Sequence, residues 1–205
     1  MASTRATEQK SPRQRVPAAE RRDALIDAAV HEFARGGLYG TPVDRIARRV
    51  GVAQPYVFSL FGSKRELFIA AVERCFDLTI ELFTKAAEEY DPATVLSPEW
   101  EGKPGVMMAM AQVYVESLQT DRDLLMLQLQ AYAACDDEII RDHVRDAYAK
   151  LINAVASLSQ ADSEQVDEFF RYGMSLNVAA AMGVLDLSCG AEWVRDGAGS
   201  ESNPD

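Results

Sequence analysis

The chain has 205 residues, 48% of them hydrophobic, which is enough for a packed core and excludes global disorder. A net charge of −11 argues against a whole surface that binds a polyanion, and no apolar run reaches the roughly 20 residues that cross a bilayer. The first 20 residues lack the apolar stretch of a secretory signal, and the three cysteines are widely spaced. We therefore expect a cytoplasmic protein with reduced thiols and no membrane partner.

The charge is unevenly distributed along the chain. Residues 1–65, the basic head, contain 12 Lys and Arg against 6 Asp and Glu, whereas the rest, the acidic body, contains 9 against 26. This distribution predicts that only the head approaches a polyanion, because the body is repelled by it.

The predicted elements begin with a flexible basic arm over residues 1–19. It is polar and contains Arg5, Lys10, Arg13 and Arg15 against one glutamate. Such an arm either has no specific role or contacts phosphates or a neighbouring groove of a nucleic acid.

The next two predicted helices are separated by glycines. Helical spacing of apolar residues begins near Glu20 and ends at the pair Gly36–Gly37, which is typical of a helix C-terminus. Thr41 and Pro42 then open a second helix as its N-cap and first helical residue, and Gly51 ends it.

A short third helix over residues 54–61 follows directly, and a long fourth helix over 64–90 is predicted to begin after Ser63 as its N-cap. Two helices joined by a short turn containing glycine, the second short and exposed, follow the helix-turn-helix plan. Residues 20–66 are therefore predicted to form a three-helix DNA-binding domain.

The exposed side chains of this domain suggest how it reads DNA. An α-helix fits the major groove, where Gln54 suits a bidentate contact with adenine, and Lys64, in the first turn of the fourth helix, suits a phosphate. The predicted DNA contacts are Thr41, Arg45, Gln54, Pro55, Tyr56, Phe58, Ser59 and Lys64. Two alternatives remain open: Arg45 with its neighbours Arg48 and Arg49 forms a solvated face, and Phe58 belongs to the core.

Four further helices are predicted in the body. They follow a loop at 91–105 and cover residues 106–119, 122–134, 137–159 and 163–187. Asp121, Asp136 and Ser163 are the start signals of the last three. No strand pattern is present, so the predicted architecture is all-α, with a larger C-terminal helical domain over residues 67–188 and a flexible tail over 189–205.

The segment "GLYGTPVDRIARRVGVAQPYVFSLFGSKRELF" resembles the DNA-binding domain of the TetR family of bacterial transcriptional regulators. The matching positions occur in order and without gaps: Gly37, Thr41, Val43, Ile46, Ala47, Gly51, Val52, Phe58, Phe61, Lys64 and Leu67. The resemblance, over about residues 20–70, implies a homodimer, a pseudo-palindromic operator and a C-terminal domain that senses a small molecule. Phe58 stands where the family usually has a tyrosine that reaches a phosphate, so Tyr56 is a candidate source of the missing hydroxyl.

The resemblance also gives the body its expected roles. Small residues on the last helix allow another helix to come close, and the two long final helices of each chain suggest a four-helix dimer interface, for which the alternative is an intramolecular core. The predicted interface residues are Tyr148, Leu151, Val155, Phe170, Gly173 and Ala181. Methionine and aromatic side chains are candidate walls of a largely apolar effector pocket, or core residues. The predicted walls are Phe76, Phe83, Met107, Met110, Tyr114, Met126, Leu129, Tyr132 and Met174.

The predicted function is a homodimeric repressor that a small, largely apolar molecule releases from double-stranded operator DNA. One alternative is a helix-turn-helix activator, or a constitutive repressor without a ligand. Another is a helical enzyme or carrier, but no nucleophile–base pair, phosphate loop or metal cluster is readable in the sequence. We therefore expect no enzymatic activity, no cofactor and no metal.

Overall fold

A computed structural model describes residues 17–92 and 104–184, and in these ranges the chain forms eight helices and no strand. The helices are α1 (Ala18–Gly40), α2 (Val43–Val50), α3 (Gln54–Phe61), α4 (Lys64–Glu88), α5 (Gly105–Thr120), α6 (Arg122–Ala133), α7 (Glu138–Ser159) and α8 (Ser163–Met182). The all-α class is confirmed. Most of the predicted basic arm, most of the 91–105 loop, and the tail lie outside the described residues.

The break predicted after the first helix occurs inside α1, at Gly37. This glycine has φ 61° and ψ −174°, a conformation that L side chains rarely adopt. A Cβ atom at this position would also lie 2.4 Å from the side-chain oxygen of Gln130 on α6. The backbone turn therefore favours glycine here, and the end of the flexible Gln130 side chain would have to move to make room for a larger residue.

The predicted start of the second helix is wrong by one residue. Pro42 is the N-cap of α2, and Thr41 makes no capping hydrogen bond because its side chain is buried and its hydroxyl donates to the carbonyl oxygen of Glu32 at 3.1 Å. At the other end, Gly51 adopts the predicted left-handed C-cap with φ 73°. The turn between α2 and α3 is therefore short.

Helix α4 is the central element of the molecule, as its apolar pattern indicates. Ser63 caps it through a hydrogen bond from the Glu66 backbone N–H at 3.1 Å. Phe68 and Phe76 on α4 are almost fully buried, and the ring of Phe68 meets that of Phe33 edge-to-face at 5.0 Å. A continuous core runs from α1 through α4 to α8, so the head and the body pack together.

The helices of the body begin close to their predicted positions. Asp121 caps α6 as predicted, but α7 is capped by Asp137 instead of Asp136, and α8 by Asp162 instead of Ser163. Helix α8 ends at Met182 before a left-handed Gly183, earlier than the predicted residue 187. None of the described helices is long and apolar enough to cross a membrane.

Polar contacts fix the position of the head on the body. His31 on α1 contacts Asp123 on α6, and Arg35 Nη1 lies 3.5 Å from the other carboxylate oxygen of Asp123. Arg65, at the start of α4, forms an ion pair with Asp137 at 3.0 Å. These contacts join the head to α6 and to the start of α7 in the body.

Candidate nucleic-acid interface and internal cavity

Helix α3 places one face in the core and the other in solvent. Val57 and Phe61 are buried, at 1% and 7% exposure, and Leu60 is half-buried. Gln54, Pro55, Ser59 and Phe58 form the opposite, exposed face. The two faces follow from the helical period, because residues three and four positions apart lie on the same side.

The side of α3 that faces α1 is covered by arginines that the sequence analysis did not single out. The guanidinium of Arg22 lies 4.3 Å from the centre of the Phe61 ring and donates to the carbonyl oxygen of Leu60 at 3.3 Å. The guanidinium of Arg21 lies 5.9 Å from the centre of the Tyr56 ring. These cation–π contacts hold α3 and increase the positive charge beside its exposed face.

A buried acid anchors the arginines of α2. Glu32 on α1 is 6% exposed, and its carboxylate lies 3.5 Å from Arg45 Nη1 and 3.2 Å from Arg49 Nη1. Arg48 instead pairs with Asp44 at 2.9 Å on the helix surface. Glu32 contacts the guanidinium of each arginine through one nitrogen, and the side chains of Arg45 and Arg49 are still about half exposed.

Lys64 lies at the N-terminus of α4, next to α3. Its ammonium group donates to the carbonyl oxygen of Tyr39 at 3.2 Å, and partial burial lowers the pKa of Lys64 from its usual value. A phosphate at this point would raise that pKa again, because an opposite charge favours the protonated amine. The neighbouring Tyr39 side chain is 72% exposed and extends the same surface.

Among the residues predicted to contact DNA, Thr41 does not fit. Its side chain is 1% exposed and hydrogen-bonded inside the head, so its hydroxyl cannot reach a phosphate in this structure. The other seven lie on or beside the exposed side of α3, although Tyr56 is half-buried and the Ser59 hydroxyl donates to the Tyr56 carbonyl at 2.8 Å.

A small cavity that is partly open to solvent lies between helices α4 to α8. Its volume is about 30 Å³, room for about one or two water molecules. The walls are mostly aromatic and aliphatic, with a few uncharged polar groups: Thr79, Phe83, Ala111, Tyr114, Gln128, Tyr132, Tyr148, Leu151, Phe169, Phe170, Tyr172, Gly173, Met174, Leu176 and Asn177.

Two tyrosines in this wall have different surroundings. The Tyr114 hydroxyl lies 2.7 Å from Asn177 Oδ1 and 3.0 Å from Gln128 Oε1, between which it shares its one proton. The Tyr132 hydroxyl is buried and has no hydrogen-bond partner among residues 17–92 and 104–184. Burial raises the pKa of both phenols, so both remain protonated at neutral pH.

The cavity corrects part of the predicted pocket. Phe83, Tyr114, Tyr132 and Met174 line it, whereas five other predicted walls do not. Met107, Met110 and Phe76 fill the core at 0–1% exposure, and Met126 and Leu129 pack against other parts of the core.

The predicted dimer interface is also largely internal. Leu151 and Val155 are buried within the single chain, and Tyr148, Leu151, Phe170 and Gly173 line the cavity. Ala181 is half-buried, and its carbonyl oxygen accepts a hydrogen bond from Arg122 at 3.0 Å. These contacts lie within the chain, and helical spacing alone does not distinguish such contacts from contacts between chains.

The two tyrosines give a prediction about stability. Tyr132→Phe is expected to leave the free energy of unfolding unchanged or raise it by up to about 1 kcal/mol, because it removes a buried hydroxyl without a partner. Tyr114→Phe, the matched control, is expected to lower it by about 1–2 kcal/mol, because Asn177 Oδ1 loses its buried donor, while Gln128 Oε1 keeps the hydrogen bond from Asn177 Nδ2 at 2.9 Å. Urea unfolding followed by circular dichroism measures both, and an equal loss in the two variants contradicts the assignment.

The thiol of Cys75 is buried, and its surroundings do not favour the thiolate that a redox-active cysteine needs. Burial, and secondly the charge of Asp121, raises the pKa of its thiol to about 12, and Sγ donates to the Leu124 carbonyl at 3.4 Å. A thiol with so high a pKa is a poor nucleophile at neutral pH.

The described fold is that of an all-α protein with an N-terminal helix-turn-helix unit packed on a larger helical body. The sequence profile of the bacterial regulatory proteins of the tetR family matches residues 25–71, which include α2 and α3. The match to this family thus covers the helix-turn-helix segment of the chain.

Comparison with individual proteins agrees with this assignment. The chain is 40% identical over 63 residues to the transcriptional activator FasR of Mycolicibacterium smegmatis and 37% identical over 59 residues to the transcriptional repressor SCO4008 of Streptomyces coelicolor. These matches cover 31% and 28% of this chain and only 29% and 31% of the two relatives. A TetR-like regulator from Rhodococcus sp. RHA1 shares the fold, with a TM-score of 0.60 and 23% identity over 90% of this chain and all of its own.

Proposed function

We propose that the chain is a homodimeric transcriptional regulator that binds a pseudo-palindromic DNA operator and is released from it by a small, largely apolar effector. The observation that carries the proposal is the exposed polar and aromatic face of α3, flanked by basic side chains, on a head whose fold matches a family of regulators. DNA contact at Arg45, Gln54, Pro55, Tyr56, Phe58, Ser59 and Lys64 is part of this proposal.

The electrostatics of the surface support this mode of binding. Arg21 and Arg22 lie against the Tyr56 and Phe61 rings of α3, and Lys64 begins α4 directly after it, while the excess of acid is in the body. Phosphates attracted by these cations orient the head, and Gln54 and Phe58 then reach base edges in the major groove. The division into a DNA-binding domain over 20–66 and an effector and dimerisation domain over 67–188 is proposed on the same grounds.

The dimer is proposed to form through the exposed α8 stripe, which consists of Ser175, Val178 and Met182. Val178 and Met182 are 50% and 66% exposed, unusual values for large apolar side chains. Ser175, Val178 and Met182 follow one another at spacings of three and four residues and so lie on one face of the helix. A twofold axis would therefore bring the same face of a second copy against them.

Val178→Asp is expected to weaken self-association at least about 100-fold, because twofold symmetry places two carboxylates in one apolar interface. Gln112→Asp, at an exposed position on α5, adds the same charge elsewhere and serves as the control. Sedimentation equilibrium measures the association constant. A Val178→Asp chain that associates as tightly as the wild type contradicts the α8 stripe as the interface.

Effector release is proposed to act through α4 and α6. Helix α6 places Gln128 and Tyr132 in the cavity wall and contacts the head through Asp123 and Gln130. A molecule that widens the cavity would displace α6 and α4 together, and both contact α1. A coupling free energy of about 1–3 kcal/mol between the two sites is enough for a useful switch.

Fluorescence anisotropy with a labelled duplex tests the function as a whole. We expect salt-sensitive binding to fragments from upstream of regulated genes, and release when the effector is added. A chain that binds duplex but never releases it is a constitutive regulator, and the effector part of the proposal is then wrong. One relative is named an activator and another a repressor, so their names do not determine whether this chain activates or represses. A transcription assay measures the direction of regulation.

A further inference from the structure

The chemistry of the cavity wall defines the class of molecule that it accepts, an inference that rests on the proposed effector function. Every residue of the wall is uncharged, and most of the lining is carbon. A carboxylate or an ammonium group would lose its hydration on entering and would find no opposite charge in that wall. The cost of desolvation therefore disfavours a charged group that lies against this wall.

One polar group in the wall requires a partner. The Tyr132 hydroxyl is buried and has no acceptor within the described parts of the chain, whereas the Tyr114 hydroxyl is already engaged by Asn177 and Gln128. Burial raises the pKa of Tyr132, so its hydroxyl carries a proton and is available as a donor. An oxygen or nitrogen acceptor on the ligand would satisfy it.

Aromatic rings in the wall would surround the part of the ligand that carries this acceptor atom. Phe83 and Phe169 meet edge-to-face with centroids 5.8 Å apart, and Tyr148 and Phe170 do so at 5.4 Å. The cavity holds about one or two waters in this state, so a larger molecule enters only when these rings rotate. Gly173 leaves space on one side, since a Cβ atom there would meet only Tyr114, at 3.9 Å.

We infer that the cavity binds an uncharged, ring-sized apolar molecule with one hydrogen-bond acceptor, such as a carbonyl oxygen, which accepts from the Tyr132 hydroxyl. Tyr132 is a specificity-determining residue in this inference: it separates acceptor-bearing molecules from hydrocarbons of the same shape. A site built to donate a buried hydrogen bond rejects an analogue without the acceptor, because its own donor then stays unpaired.

Four aromatic probes of nearly equal size test this on the full-length chain: acetophenone, ethylbenzene, benzoate and benzylammonium. Isothermal titration calorimetry is expected to show the highest affinity for acetophenone, on the order of tenfold above ethylbenzene. Benzoate and benzylammonium are expected not to bind. Binding of either ion as tightly as acetophenone, or binding of none of the four probes, overturns the inference.

Two variants assign the preference to one hydroxyl. Tyr132→Phe is expected to reduce the preference for acetophenone over ethylbenzene to less than about twofold while ethylbenzene affinity is maintained. Tyr148→Phe removes the hydroxyl of a half-buried tyrosine in the same wall and is expected to leave the preference unchanged. An unchanged preference in Tyr132→Phe, or an equal loss in both variants, contradicts the role of Tyr132.

The calorimetry requires no DNA, so its result is independent of the operator assay. A chain that binds acetophenone with the expected preference but binds no duplex supports the cavity inference and contradicts the regulatory function. A chain that binds duplex but none of the probes contradicts the cavity inference and leaves DNA binding intact.

Discussion

Lys64→Glu is expected to lower the affinity of the dimer for its operator about 100-fold. Each head would lose one charge-assisted contact to a phosphate and gain a repulsion, at a cost of about 1.4 kcal/mol per head, and the proposed dimer presents two heads. The side chain lies where such a contact is possible, because its ammonium group is held at the Tyr39 carbonyl beside the exposed face of α3. Anisotropy titrations at several salt concentrations measure the affinity, and the salt dependence should become less steep.

Lys150→Glu is the matched control for this prediction. It makes the same change of charge at an exposed position on α7, in the body. Its effect on operator affinity is expected to be less than about twofold, because exposed charges farther away than the Debye length of about 8–10 Å are screened. Equal losses in the two variants would mean that net charge alone governs binding, and Lys64 would have no local role.

Phe68→Ala is expected to lower the free energy of unfolding by about 3–5 kcal/mol, the largest stability effect predicted here. The ring is fully buried on α4 and meets Phe33 of α1 edge-to-face, so its removal leaves a cavity where head and body join. Urea unfolding followed by circular dichroism measures the loss.

Phe58→Ala is the control, and its expected phenotype is the opposite one. Phe58 is 37% exposed on α3, so its removal should cost less than about 1 kcal/mol of stability but lower operator affinity about tenfold. The exposed ring is proposed to contact a thymine methyl group, the role that remains when the tyrosine hydroxyl of the family is absent. A Phe58→Ala chain with wild-type affinity would show that this ring only packs against the protein.

Local signals predicted the head well. Gly51 and the cap at Ser63 set helix boundaries that the structure confirms, and α3 covers the predicted residues 54–61. These features depend on residues within one or two turns of each other, where helical geometry dictates the outcome.

Features that depend on contacts between distant helices were not predictable. Glu32 is a single acid in a helical pattern, and only the fold brings Arg45 and Arg49 to it. Met107 and Met110 fill the core while Met174 lines the cavity, although all three are methionines on largely apolar helices. Which side of such a helix meets the core and which meets a cavity depends on how the helices cross, and periodicity carries no information about that.

The central claim is that α3 enters the major groove of duplex DNA in two copies. The most direct test selects binding sequences from a random duplex library with the full-length protein. Methylation interference at guanine N7, which is a major-groove atom, then maps the contacts. We predict two inverted half-sites with centres about 34–36 Å apart or a multiple of that spacing, and interference at guanines within each half-site. Selected sequences without inverted symmetry, or binding that methylation of N7 does not affect, would contradict the claim.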